Sequence, residues 1–290
     1  MGAMWGLQFS MLKFAALSGA GEINLLMLTL VLLAVMFSGY ALIKREPIHF
    51  SLDWLLFLIV IAFLGYVAPL GATLFVAPHI TVGALSLIAC LAPVVTILLA
   101  LLYRSEPVSR GRKFALLLGL ISILLLLWPE LQLPGLGDSG WMLVALIIPL
   151  VYGIEPVFVD TRWPIGMTSA QLIAGEAIAA VILILPVFLF QDNPITLHSM
   201  NIDALWPLIV FALAGIVETT LYFHLIKTTG GVFVSFGTFI SLFAGVAWGV
   251  LLFSERHGIY VWLAILFLLG ALYLASRERQ VSHAAQKRSH

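Results

Sequence analysis

The chain has 290 residues, of which 62% are hydrophobic and only 10% are charged, and its mean hydropathy is +1.12. Soluble domains carry about 25% charged residues, so a soluble protein of this length could not cover its surface with so few charges. A lipid bilayer is the solvent that this composition predicts. The 14 basic and 14 acidic side chains balance, and no basic excess indicates a nucleic-acid partner.

Apolar stretches of helical length follow one another along the whole chain. A spanning helix needs about 20 such residues. The predicted helices are 2–19, 23–43, 54–77, 79–103, 113–130, 139–160, 167–190, 204–226, 231–254 and 259–276. The connections between them are short and polar, and none is long enough to hold a soluble domain. The sequence therefore predicts an all-α polytopic membrane protein with about ten transmembrane helices.

Basic residues between the predicted helices give the orientation, because cytoplasmic loops of membrane proteins are enriched in lysine and arginine. With the N-terminus in the cytoplasm, only Arg256 lies outside. The basic residues on the cytoplasmic side are Lys44, Arg45, Arg104, Arg110, Arg112, Lys113, Arg162, Lys227, Arg277, Arg279, Lys287 and Arg288. This asymmetry predicts that both termini are cytoplasmic.

Two pairs of short motifs recur at nearly equal separations. Trp5-Gly6 precedes Ser105-Glu106, and Tyr152-Gly153 precedes Ser254-Glu255. Five helices per half is an odd number, so the second half must cross the membrane in the opposite sense, as in many secondary transporters. The predicted units are a first five-helix repeat, a second, inverted five-helix repeat and a cytoplasmic tail, over residues 1–130, 139–276 and 277–290.

The two glutamates of these motifs, Glu106 and Glu255, end the fourth and ninth predicted helices. We expect them to have a structural role in the headgroup region, through nearby arginines or free backbone donors, and not to contact substrate.

Further motifs accompany this repeat. They are Trp5-Gly6-Leu7-Gln8-Phe9 with Lys13, Leu91-Ala92-Pro93 before Glu106, Arg110 with Gly119, Tyr222-Phe223-His224-Leu225-Ile226-Lys227 to Gly230, and Ser254-Glu255 with Gly270. Together they resemble the ten-helix drug/metabolite transporter superfamily of the EamA type, over nearly the whole chain. One position departs from the pattern: Leu242 stands where a proline is expected, which predicts a straighter ninth helix than fourth.

The resemblance implies a central cavity lined by helices 1, 3, 4, 6, 8 and 9, with helices 5 and 10 at the periphery. It also implies export of amino acids or other small metabolites across the bacterial inner membrane. It implies no cofactor or metal.

Four charged residues fall inside predicted spans, where a charge costs about 2.5–3.5 kcal/mol near the centre. They are Lys13, Glu155, Glu176 and Glu218. Each has a structural alternative. The Lys13 side chain would extend to the headgroups, Glu155 would stabilise the helix kink at Pro156, and Glu218 would form a hydrogen bond between helices. For Glu176 the structural interpretation is preferred, because the resemblance places helix 7 outside the cavity.

Polar and aromatic residues on helices expected to line the cavity complete the candidate set. They are Trp5, Gln8, Tyr66, Tyr152 and Tyr222. The lone histidines His79 and His224 are interpreted as satisfied polar groups.

No zinc-binding, phosphate-loop or nucleophile-elbow motif occurs in the sequence, so an enzyme is not predicted and transport driven by this chain's own ATP site is excluded. The leading interpretation is a secondary exporter of small metabolites that works by alternating access. Uptake or passive facilitation, an integral-membrane enzyme acting on lipid, and a non-transporting scaffold remain as alternatives. A polar cavity lined by both halves would separate transport from the last two.

Proton coupling through Glu155 or Glu218 is the mechanistic hypothesis. Burial disfavours the charged form of a carboxyl group, so such a glutamate can take a proton from one side and release it to the other as water access alternates. The competing account is that both glutamates are hydrogen-bonded between helices and stay protonated throughout.

The charge asymmetry makes a topological prediction. A single cysteine introduced into the tail over 277–290 should react with a membrane-impermeant thiol reagent only from the cytoplasmic side, and one placed at 255–257 only from outside. A tail that is labelled from outside would contradict the ten-helix scheme.

Overall fold

The computed structural model describes residues 1–47, 51–103, 110–130, 141, 144–192 and 202–254, and, near the C-terminus, 258–260, 262–263, 266–267, 269–271 and 273–274. These residues are helical with short turns and contain no β-strand, which confirms the predicted all-α class. Glu106, Glu255, Arg256 and the tail over 277–290 lie outside the described residues, so their predicted roles stay predictions.

The helices follow the predicted order with several subdivisions. They are α1 (Gly2–Leu17), α2 (Glu22–Ile43), α3 (Leu52–Ile61), a π-helix (Ala62–Val67), α4 (Ala68–Val76), α5 (Val82–Ala89), α6 (Ala92–Tyr103), α7 (Arg110–Glu130), α8 (Ile147–Arg162), α9 (Ser169–Leu189), α10 (Ile202–Thr229), α11 (Gly231–Ser235) and α12 (Gly237–Phe253).

Five stretches of the described chain are long and apolar enough to cross a membrane. They are Glu22–Ile43, Trp54–Val76, Ser169–Leu189, Ile202–Thr229 and Gly231–Phe253. Large apolar side chains such as Val35, Leu56 and Phe190 point outward and are between 67% and 89% exposed. An apolar outer surface of this kind is suited to lipid, so the helices indicate an integral membrane protein.

Among the described residues, the third, fourth and ninth predicted spans show clear interruptions. The third is regular up to Ile61, widens into the π-helix and continues as α4, which has Pro69 in its first turn. The fourth is divided into α5 and α6. The ninth is also divided, at Phe236, whose N–H bonds to the carbonyls of Phe233 and Val234. The absence of a proline at Leu242 therefore does not leave the ninth helix continuous, because the break lies at the turn before Gly237.

Two glycines allow helices from distant parts of the chain to pack backbone against backbone. A Cβ atom at Gly6 of α1 would lie 2.6 Å from the Ser241 carbonyl oxygen and 2.6 Å from the Gly245 nitrogen of α12. A Cβ atom at Gly153 of α8 would lie 2.8 Å from the Ala92 carbonyl oxygen of α6 and would overlap Val95. Small residues at such crossings replace the hydrophobic effect as the source of close packing in membranes.

The α1–α12 crossing predicts a stability difference between two alanine substitutions. Gly6→Ala should destabilise the fold by about 1–3 kcal/mol, because the methyl group would force two backbones apart. Gly39→Ala is the matched control, since Gly39 lies in α2 with no atom within 4 Å of a Cβ built there. The measurement is the apparent melting temperature of each purified protein in detergent. Equal melting temperatures would contradict the packing described here.

Candidate functional site

A small cavity lies among α1, α2, the π-helix, α4, α8, α9 and α10. It is lined by Trp5, Gln8, Leu33, Gly65, Tyr66, Leu70, Tyr152, Glu155, Glu176, Phe211, Gly215, Glu218, Thr219, Tyr222 and Phe223. We call it the central cavity. It has a volume of about 50 Å³, which is room for a few water molecules and too little for an amino acid.

The central cavity lies near the middle of the helices that form it. At ~1.5 Å per residue, Glu176 is ~10 Å along α9 from Ser169 and ~20 Å from Leu189. The same rise places Glu218 ~24 Å from the start of α10 and ~17 Å from its end. These carboxyl groups are therefore far from both ends of helices that are long enough to span a membrane.

Three carboxyl groups face the central cavity, one each from α8, α9 and α10. Glu155 is 4% exposed and Glu176 is 1% exposed, whereas Glu218 is half-buried. Glu155 and Glu176 both lie against Gly65. A Cβ atom at that position would be 3.2 Å from the Glu155 Cδ and Oε1 atoms and would overlap the Glu176 Oε1 atom. A glycine at this point of the π-helix is what makes room for two carboxyl groups.

The hydrogen-bond partners of these carboxyl groups differ. The Thr219 hydroxyl donates to Glu218 Oε2 at 3.0 Å, and the Tyr66 hydroxyl lies 3.4 Å from the Thr219 oxygen, to which it can donate in turn. The Tyr222 side chain lies close to Glu155. The Glu176 Oε2 atom is buried and has no hydrogen-bond partner among the described residues.

Aromatic rings close one side of the central cavity. The Trp5 ring meets Tyr152 edge-on, with centroids 5.0 Å apart, and Tyr222 edge-on at 6.4 Å. The Gln8 side chain lies beside them and donates to the Phe211 carbonyl at 3.4 Å. The site thus combines carboxyl groups, phenol hydroxyls and the faces of aromatic rings. Such groups can accept protons or bind a cation.

Seven of the eight candidates from the sequence are brought together here: Trp5, Gln8, Tyr66, Tyr152, Glu155, Glu218 and Tyr222. Their role in substrate binding stays a prediction. Lys13 is the exception and is not part of the lining. Its ammonium group donates to the Ile80 carbonyl at 3.0 Å and lies 5.2 Å from the Phe253 ring centroid.

Glu176 is the residue that the sequence interpretation placed wrongly. The resemblance put its helix outside the cavity, but α9 contributes Glu176 to the lining. A carboxyl group in the middle of an otherwise apolar helix was the available signal, because such residues face protein or water and not lipid.

The helices that line the central cavity also differ from those that the resemblance implies. The second and seventh predicted helices contribute Leu33 and Glu176, whereas the fourth and ninth contribute no described residue. Close packing gives the reason. A Cβ atom at Gly245 of α12 would overlap the Ser86 hydroxyl of α5, so α5 and α12 meet too tightly to leave space between them.

Other polar groups lie away from this site. His79 stacks on Trp141 with centroids 4.0 Å apart, and His224 is exposed. A larger apolar depression of about 600 Å³ lies beside the N-terminus, α11 and α12 and has no charged side chain among its described lining residues. Within the described part of the chain no three His, Cys, Asp or Glu side chains are grouped so as to hold a metal ion.

The fold has counterparts among solved structures. One described only as "Crystal structure of protein" is similar with a TM-score of 0.58 at 17% sequence identity, covering 95% of this chain and 98% of the other. At this identity the likeness shows the fold alone. No protein-family model matches the chain, and no curated protein matches its sequence.

The closeness of Tyr222 to the buried Glu155 predicts a stability effect. Tyr222→Phe should destabilise the protein by about 1–3 kcal/mol, because it removes a hydroxyl group from beside a buried carboxyl group. Tyr40→Phe removes the same hydroxyl from a residue outside the central cavity and should have a smaller effect. Melting temperatures in detergent measure both. A Tyr40→Phe loss as large as that of Tyr222→Phe would contradict the assignment.

Proposed function

We propose that this protein is a secondary transporter that exports small metabolites by alternating access, with amino acids as the class that the resemblance implies. One observation carries the proposal: a polar cavity inside an apolar helical bundle is lined by residues of both predicted halves. Residues such as Gln8 and Tyr66 come from the first half, and residues such as Glu155 and Glu218 from the second. A lipid-acting enzyme or a scaffold has no need of such a cavity.

The proposed architecture is a pair of inverted five-helix repeats. The close contacts of Gly6 and Gly153 support it, because the residues that the two glycines contact are the same number of positions apart in sequence as the glutamates of the repeated motifs. Gly6 meets Ser241 and Ala244, and Gly153 meets Ala92 and Val95. Ser241 follows Ala92 by 149 residues, Ala244 follows Val95 by 149, and Glu255 follows Glu106 by 149. Equivalent helices of the two halves thus cross each other through equivalent residues.

A symmetry axis through the central cavity is consistent with the aromatic contact. Trp5 and Tyr152 hold equivalent places in the two halves, immediately before Gly6 and Gly153, and their rings touch each other. Gln8 and Glu155 are equivalent by the same offset, and both line the cavity. Substrate sites of inverted-repeat transporters lie at such an interface.

The proposed setting is the bacterial inner membrane with both termini in the cytoplasm. The proposed partners are the lipid bilayer, a small-molecule substrate and protons. Proton coupling is assigned to Glu155 or Glu218, since both line the central cavity and the Thr219 hydroxyl donates to Glu218. Alternation between two states would open this site to one side of the membrane and then to the other.

Glutamine substitutions test the coupling. In proteoliposomes with a pH gradient, Glu155→Gln, Glu218→Gln or the double variant should lose gradient-driven substrate movement, because an amide keeps the shape of the carboxyl group but does not titrate. Exchange of labelled for unlabelled substrate without a gradient should continue. The substrate is found first by screening amino acids and common metabolites with the unmodified protein.

Glu22→Gln provides the control, since Glu22 lies in the first turn of α2, outside the cavity lining. Gradient-driven transport that persists in both single variants and in the double variant would refute the coupling role. A purified protein that moves none of the compounds screened, with or without the gradient, would count against transport itself. The side to which substrate is moved separates export from uptake.

A further inference from the structure

The charges of the central cavity are unbalanced. Its described lining includes three carboxyl groups, of Glu155, Glu176 and Glu218, and no lysine, arginine or histidine. The α-ammonium group of Met1 attracts Glu218 but is not part of the lining. Burial of carboxylates without compensating charge is costly, so a ligand that brings positive charge would be favoured.

One atom of this group points to a ligand directly. The Glu176 Oε2 atom is buried and has no hydrogen-bond partner among the described residues, and Glu176 is part of the cavity lining. A buried acceptor of this kind costs the full desolvation penalty until a donor reaches it. Glu155 shares its surroundings at Gly65, so a donor placed between the two side chains would contact both.

The aromatic wall favours the same kind of ligand. The Trp5 ring meets the rings of Tyr152 and Tyr222 edge-on, and all three residues line the same cavity as the three carboxyl groups. Aromatic faces attract ammonium groups through their quadrupole, and the attraction is strongest at desolvated sites with tryptophan present. An ammonium ion in this cavity would therefore have both carboxylates and aromatic rings around it.

We infer that the substrate is a cationic primary amine that carries no carboxylate group of its own. This inference rests on the proposed transport function and narrows its substrate class. An amino acid would satisfy the same carboxyl groups with its α-ammonium group, but its α-carboxylate would add a fourth negative group to the lining. The Gln8 amide has two N–H groups, one of which already donates to the Phe211 carbonyl, so it can offer a carboxylate one neutral donor and no positive charge.

Three compounds with one carbon skeleton separate the possibilities. Leucine has both charged groups, leucinamide replaces the carboxylate with a neutral amide, and 3-methylbutylamine lacks it altogether. Binding to the purified protein is measured by calorimetry in detergent, with the ligand-free micelle as blank. We expect both cations to bind at least about tenfold more tightly than leucine, the factor that corresponds to one unfavourable charged contact.

Two glutamate variants locate the site. Glu176→Gln should weaken binding of 3-methylbutylamine by about tenfold or more, because it removes a charge-assisted hydrogen bond. Glu22→Gln makes the same chemical change outside the cavity and should leave binding unchanged. The comparison of the three ligands uses the unmodified protein, so it decides the substrate class even if Glu176→Gln fails to fold.

The outcomes distinguish this inference from the proposed function. If leucine binds as tightly as the amines, or is transported while they are not, the amine class is wrong and the transport function stands. If none of the three compounds binds, the amine class is again wrong. Whether the protein transports any substrate is then decided separately, by the metabolite screen in proteoliposomes. Equal losses in Glu176→Gln and Glu22→Gln would show that the amine binds elsewhere.

Discussion

An apolar surrounding offers no water to polar groups, so nearly every donor and acceptor must find a partner within the protein. Many of the buried hydroxyls do so locally. Thr29 donates to the Leu25 carbonyl and Thr73 to the Pro69 carbonyl, both at 2.7 Å, and Ser241 donates to the Thr238 carbonyl at 2.7 Å. Glu176 departs from this pattern, with one oxygen unmatched. Some polar side chains of the interior thus bond to their own helix and others face the central cavity, while Thr96 donates to the Gly153 carbonyl of another helix.

Residue size decides where space remains inside the bundle. Gly6 and Gly153 bring α1 against α12 and α8 against α6 until backbones touch, which leaves no room at those crossings. Bulky rings directly precede both glycines in sequence, and the contact between Trp5 and Tyr152 keeps their helices further apart. The cavity lies beside these rings because α1 and α8 each pack closely on another helix at the glycine and are held apart from each other by the ring that precedes it.

Much of this arrangement could be predicted from the sequence, because hydropathy and charge act locally. The all-α class follows from apolar length. The seven cavity-lining candidates follow from polar and aromatic residues within spans, on helices that the resemblance placed at the cavity. The charge of Glu176 indicated that it faces protein or water, but its place in the cavity could not be deduced, because which face of α9 turns inward depends on packing against α3. There a Cβ atom at Gly175 would lie 2.9 Å from Leu58. The interruptions near Ala62 and Phe236 were also unpredictable, since neither interrupts the hydropathy of its span.

The π-helix changes which faces of its own span point inward. Its wider turn accommodates an additional residue, and that residue offsets α4 from α3 by ~100° about the helix axis. Before the offset, Leu58 faces α9, and after it, Gly71 packs 3.5 Å from Leu26 of α2, measured from its built Cβ. Loss of a single residue between Ala62 and Val67 would restore a regular α-helix and keep the span hydrophobic. It would also turn either Gly65 or Leu70 away from the carboxyl groups. The additional residue thus allows a single span to pack on neighbouring helices with one face and to line the polar cavity with another.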